Sequence, residues 1–111
     1  MRDKVWRDGE EAALGLYLTR GYRLVARNWT CRLGELDLVL ERSGLLVVCE
    51  VKARRASGFG GPFEAVTSAK QRKIRSVTQV FLDSIRLRPL EVRFDVASVT
   101  EGRVHLFEDA F

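Results

Sequence analysis

The chain is short of the residues that mark several large functional classes. No apolar stretch approaches the ~20 residues of a membrane-spanning helix. The charged start, Met-Arg-Asp-Lys-Val-Trp-Arg-Asp, lacks the apolar region of a secretory signal. A cytoplasmic protein with no membrane partner is expected. The two cysteines, Cys31 and Cys49, have neither metal-ligand spacing nor a disulfide framework, and both read as reduced thiols, with Cys49 in the core. His105 is the only histidine, and with no second histidine or nearby nucleophile it reads as structural or exposed. The glycine-rich stretch from Ala53 to Pro62 lacks the Gly-Lys-Ser/Thr ending of a phosphate-cradling loop. Internal repeats, low-complexity segments and linkers are also missing.

What is present points to a small globular protein. With 111 residues, 46% of them apolar, the chain is expected to form a single domain, 1–111, around one core. The net charge is +4, and fifteen arginines stand against four lysines. The planar fork of arginine suits phosphate.

The most informative stretch runs from Gly34 to Arg54. Leu36, Leu38 and Leu40 alternate with Glu35, Asp37 and Val39, as in a strand. Arg42-Ser43-Gly44 reads as a turn, and Leu45 to Lys52 as a second strand, apolar until Glu50. Side chains alternate faces along a strand, so Glu50 and Lys52 share one face. Charged groups at the end of a buried strand are costly unless paired or bound to something. A hairpin can bring Asp37 beside them, which suggests a small metal site.

Around this hairpin, Val5 to Arg20 is predicted helical and closed by Gly21. Glu10 falls on the apolar face with Trp6, Ala13 and Tyr17. It is expected either to pair with an arginine at the helix edge or to point into the site. Tyr22 to Trp29 is predicted as a strand, with a loop from Asn28 to Leu33. The basic, glycine-rich stretch from Ala53, carrying Arg54 and Arg55, reads either as a clamp on a charged polymer or as an ordinary connection. Pro62 to about Arg88 is predicted mostly helical. Ser68 and Gln71 resemble a capping box, and Ile74, Val77, Phe81 and Ile85 form a core stripe. Lys70, Arg72, Lys73 and Arg75 crowd the first turns; such a run is usually a solvated face, but its placement against the helix dipole mildly favours a polyanion partner. Leu90–Thr100 and Arg103–Phe107 are predicted strands, with Asp95 paired to an arginine near Arg93. The order α-β-β-β-α-β-β implies an α/β fold with helices flanking a mixed sheet of about five strands and a right-handed crossover.

Glu10, Asp37 and Glu50-x-Lys52 together resemble the PD-(D/E)xK nuclease superfamily, whose fold is restriction-endonuclease-like and three-layered. The resemblance is closest to the YraN-type family of small bacterial proteins. It is carried by Gly9-Glu10 with Ala13, Gly21-Tyr22, Arg27-Asn28-Trp29, Gly34-Glu35-Leu36-Asp37-Leu38, Glu50-Val51-Lys52-Ala53-Arg54, Ala65-Val66 with Lys70, Arg93-Phe94-Asp95-Val96 and Ala110-Phe111. It spans essentially the whole chain. Cys49 and Thr30 depart from the family pattern.

The resemblance implies a metal-dependent endonuclease acting on DNA, on branched recombination or repair intermediates. Asp37 and Glu50, assisted by Glu10, would hold Mg²⁺ or Mn²⁺. Glu35 shares a face with Asp37 on a regular strand and reads either as an outer ligand or as half of a salt bridge at the strand edge. Lys52 would orient the attacking water or stabilise the phosphate. Arg54, Arg55, Lys70, Arg72 and Lys73 would contact nucleic acid. Junction cutting would need two sites, hence a homodimer. The alternative expectation is a nucleic-acid-binding module with a weak or latent site inside a DNA-processing complex. In a third, the acids serve only the fold.

Overall fold

A computed structural model describes residues 4–55 and 66–111. Helix α1 (Lys4–Thr19) precedes three strands, β1 (Arg23–Cys31), β2 (Gly34–Arg42) and β3 (Leu45–Arg54). Helix α2 (Ser68–Ile85), β4 (Glu91–Thr100) and β5 (Arg103–Phe107) follow. The strands form one sheet in the order β1-β2-β3-β4-β5. The pairs are antiparallel except β3–β4, which is parallel. A parallel pair cannot be closed by a tight turn, and α2 lies in the connection between these two strands.

The two helices cover opposite faces, because β3 is apolar on both. Val47, Cys49 and Val51 pack with Ala13, Leu14 and Tyr17 of α1. Leu46 and Val48 pack with Ile74, Val77 and Phe81 of α2. A strand covered on both sides reads as a continuous apolar run, as Leu45–Cys49 does. Each fully buried Leu, Ile, Val or Phe contributes about 1.5–3 kcal/mol. Trp29 adds an edge-on contact with Phe81, ring centres 5.1 Å apart. The result is an α/β fold with a five-stranded mixed sheet between two helices, compatible with the three-layer restriction-endonuclease-like architecture.

Element ends follow local chemistry. Tyr22 N–H donates to Tyr17 O and Gly21 N–H to Leu18 O, with Gly21 at φ +85°, the left-handed glycine closure of a helix. Ser43-Gly44 and Glu101-Gly102 have positive φ at both positions, as two-residue hairpin turns require. Two sequence expectations need correction. The N-cap of α2 is Thr67, not Ser68: Thr67 is extended and its side chain accepts from Lys70 N–H. The Gln71 amide donates to Val66 O instead of reaching back to the cap. The segment 62–65, predicted to open this helix, lies outside the described residues. The loop predicted from Asn28 is instead strand, because Trp29, Thr30 and Cys31 pair with Leu36, Glu35 and Gly34.

Gly9 sets how closely α1 approaches the sheet. A β-carbon there would lie 2.5 Å from Ala53 Cβ, closer than two carbons can sit. Gly9→Ala is therefore expected to push α1 off β3 and to destabilise the fold. Overpacking costs about 1–3 kcal/mol, and the better helix propensity of alanine recovers up to about 1. A net loss of about 1–2 kcal/mol is expected in urea unfolding.

Candidate functional site

The site begins where β2 and β3 part. Their paired register runs from Arg42↔Leu45 to Leu38↔Cys49. Beyond that point carboxylates take over from backbone. Asp37 Oδ2 accepts from Val51 N–H at 2.8 Å, and the Glu50 carboxylate accepts from the Asp37 backbone N–H. The two acids thus satisfy backbone groups that a continued ladder would have paired, and they are fixed side by side as a consequence.

They open onto a cavity of about 230 Å³ lined by Gly34, Glu35, Asp37, Glu50, Lys70, Lys73, Ile74 and Val77. Glu50 is only 6% exposed, and its Oε2 has no hydrogen-bond partner among the described residues. Burial, followed by the nearby charge of Asp37, pushes its pKa up from the ordinary 4.5 to about 7. The charges of Lys70 and Lys52 oppose that rise. A buried acceptor without a donor is expensive, and an oxygen-rich cavity with one free carboxylate oxygen suits a hard divalent cation. Among the described residues no group of three or more His, Cys, Asp or Glu is arranged to hold a metal. A cation here would draw its other ligands from water or substrate, as Mg²⁺ commonly does.

The other sequence candidates fall in different places. Lys52 follows Glu50 by two positions on β3 and is half-buried, near enough to act on the Glu50 charge. Glu10 is fully buried on α1 and is not among the residues lining the cavity. It accepts from Arg27 Nε at 2.9 Å and from Asn28 Nδ2 at 2.7 Å. Arg27 also reaches Glu11 at 2.9 Å. The arginine partner therefore comes from β1. Adjacent strand residues normally face opposite sides, but Asn28 has φ 51°, a conformation asparagine tolerates, and both side chains turn to α1. Arg54 and Arg55 line a different cavity, of about 500 Å³, with Val5, Asp8, Gly9, Val99, Glu101 and Gly102. Arg72 is exposed on α2. His105 is exposed on β5.

Lys70 and Lys73 are the residues whose position the sequence did not reveal. They read as part of a basic run, yet both sit at the carboxylate cavity. The available signal was their spacing of three, which places them on one helical face adjoining the buried Ile74 and Val77.

Asp95 shows the opposite treatment of a buried acid. It is fully buried and accepts from Tyr17 Oη at 2.6 Å, from Arg93 through Nε and Nη2, each at 2.9 Å, and from Asp109 N–H at 3.0 Å. Arg93 continues to Tyr22 Oη at 3.2 Å and Glu108 at 3.1 Å. Burial and the neighbouring Asp95 push the Tyr17 phenol far above its usual range, and the Asp95 hydrogen bonds raise Arg93. Every contact made by the Asp95 carboxylate is thus a hydrogen bond from a fixed donor, and the network joins α1, β4 and the last residues of the chain.

Residues 9–99 match the sequence profile of the family described as "Uncharacterised protein family UPF0102". A UPF0102 protein of Symbiobacterium thermophilum is 40% identical over 100% of this chain and 98% of its own length. One from Clavibacter michiganensis is 45% identical over 84% of this chain and 79% of its own. One from Persephonella marina is 32% identical over 95% and 90% respectively. With a match spanning most of the chain and near full-length relatives at this identity, the protein belongs to the UPF0102, or YraN, family.

Proposed function

We propose that the protein is a metal-dependent nuclease that hydrolyses phosphodiester bonds in DNA. One observation carries this reading: Asp37 and Glu50 meet in a single cavity, and Glu50 is buried there with an oxygen that has no partner among the described residues. These two carboxylates would hold Mg²⁺ or Mn²⁺, which supplies charge neutralisation and an activated water when bound. Lys52 would position the attacking water or steady the phosphate from the same face of β3. Lys70 and Lys73 meet the phosphate from α2. Glu10 acts at one remove, anchoring Arg27 and Asn28 within β1. The likeness of Glu10, Asp37, Glu50 and Lys52 to archaeal-type Holliday junction resolvases supports branched DNA as substrate, and cutting both sides of a junction would need a homodimer.

The test is cleavage of duplex, single-stranded and four-way-junction DNA in Mg²⁺ and Mn²⁺. Cleavage by the native chain is expected, with loss in both Asp37→Ala and Lys52→Ala. Salt-dependent DNA binding without cleavage would favour a nucleic-acid-binding module with a latent site. That second reading draws on Glu10, which is already committed to Arg27 and Asn28. Neither binding nor metal uptake would end both.

A further inference from the structure

Taking the cavity as the metal site of the proposed nuclease, we infer that Lys70 and Lys73 are built-in counter-cations to Asp37 and Glu50, so that a divalent cation and a phosphate backbone enter the cavity cooperatively. In the ligand-free chain the ammonium groups hold down cation affinity. A phosphate draws them away, and the cation follows.

The placement of the lysines is structural. Thr67 caps the first turn of α2 through Lys70 N–H, and Gln71 ties that turn to Val66 O. Ile74 and Val77 are buried in the core, which fixes the rotation of the helix and leaves Lys70 and Lys73 over the carboxylates. The Lys73 stem crosses Gly34, where a β-carbon would stand 3.0 Å from Lys73 Cε. A larger residue at that position would crowd the stem.

Charge explains why lysines belong there. The first turn of α2 contains no acidic residue, although a helix N-terminus favours acids over bases. The lysines oppose the dipole, and the carboxylates across the cavity offset that. Glu35, Asp37 and Glu50 share the cavity with Lys70 and Lys73, and Lys52 acts on Glu50 from β3, so at full ionisation three ammonium groups offset three carboxylates and little net field remains for a doubly charged ion. Among the groups that favour ionised Glu50, Lys70 is the largest, ahead of Lys52. Removing a lysine leaves more negative field for a cation, and adding a phosphate has a similar effect by engaging the lysines. By linkage, the cation must then tighten phosphate binding by the same factor.

The experiment is calorimetric titration of the full chain with MnCl₂ alone, and again with a short DNA duplex carrying uncleavable phosphorothioate linkages. The proteins are the native chain, Lys70→Met, the Lys70→Met/Lys73→Met double variant and Asp37→Asn. Both lysines are exposed, so the fold should survive, and circular dichroism checks this. Without DNA, Lys70→Met should bind Mn²⁺ about five- to tenfold more tightly than the native chain, the low end of ordinary coupling strengths. Asp37→Asn should bind none. The duplex should raise the Mn²⁺ affinity of the native chain by a larger factor than that of the double variant. Lysine variants that bind Mn²⁺ like the native chain, or a duplex effect untouched by them, overturn the coupling while Asp37-dependent binding preserves the metal site. Native binding that Asp37→Asn leaves intact, or no binding by any protein, overturns the site and the coupling together.

Discussion

Replacing Glu50 by glutamine is expected to stabilise the metal-free chain at pH 8 by up to roughly 3 kcal/mol, at about 1.4 kcal/mol per pKa unit. Glu50 holds its proton up to about pH 7 in the folded chain, against an ordinary value of 4.5. Between those two values the unfolded chain has released a proton that the folded chain still binds. Folding stability therefore falls as pH rises through this window and levels off above it. Glutamine keeps the size of the side chain and can still accept from Asp37 N–H, but it never ionises. Urea unfolding in EDTA at pH 5 and pH 8 checks this: the native chain should lose stability between the two, and Glu50→Gln should lose much less. Mn²⁺ at pH 8 should then stabilise the native chain and leave the variant unmoved. A native chain as stable at pH 8 as at pH 5, apart from effects shared by the variant, would contradict the strained, buried carboxylate.

Asp95→Ala is expected to be the most damaging single change away from the cavity, at about 3–5 kcal/mol. Removing one member of a buried ion pair strands the other. Here it would strand Arg93, 18% exposed at its side chain, together with the Tyr17 hydroxyl and the Asp109 N–H. Asp95→Asn keeps the shape and one acceptor oxygen but surrenders the charge, and should fall between the native chain and alanine. Urea midpoints for the three proteins give the order. A loss below about 1 kcal/mol in Asp95→Ala would mean that water replaces the network at little cost, and that the last residues of the chain are held chiefly by Phe111 stacking on Phe94 and by Arg75 donating to Phe111 O.

The periodic parts of the chain were readable in advance. Alternation in the Leu36–Leu40 segment, the unbroken apolar run Leu45–Cys49, the stripe Ile74–Val77–Phe81 and the turn pairs Ser43-Gly44 and Glu101-Gly102 each follow from one local rule, and the structure agrees. What escaped the sequence depended on two segments at once. Thr67 and Ser68 are both good caps, and only the chain direction entering α2 decides between them. Asn28 looked like a loop residue because its left-handed backbone is a turn habit, yet here it lies within a strand. The site was legible as a pair of acids, since Asp37 and Glu50 lie on one hairpin. The lysines above them come from a helix across a crossover, and no spacing rule links positions 50 and 70. Glu10 was flagged as a misfit on an apolar face, but its partners on β1 were not foreseeable from helical periodicity alone.

The parting of β2 and β3 has a mechanical side. Val51 N–H ends on the Asp37 carboxylate, and the Asp37 N–H ends on Glu50, so the last rung between these strands is made of the same oxygens that would grip an ion. Whatever pulls on those oxygens therefore pulls on the seam between the strands. Chemistry in the cavity cannot stay confined to side chains; it tightens or loosens the sheet on which α1 and α2 are seated.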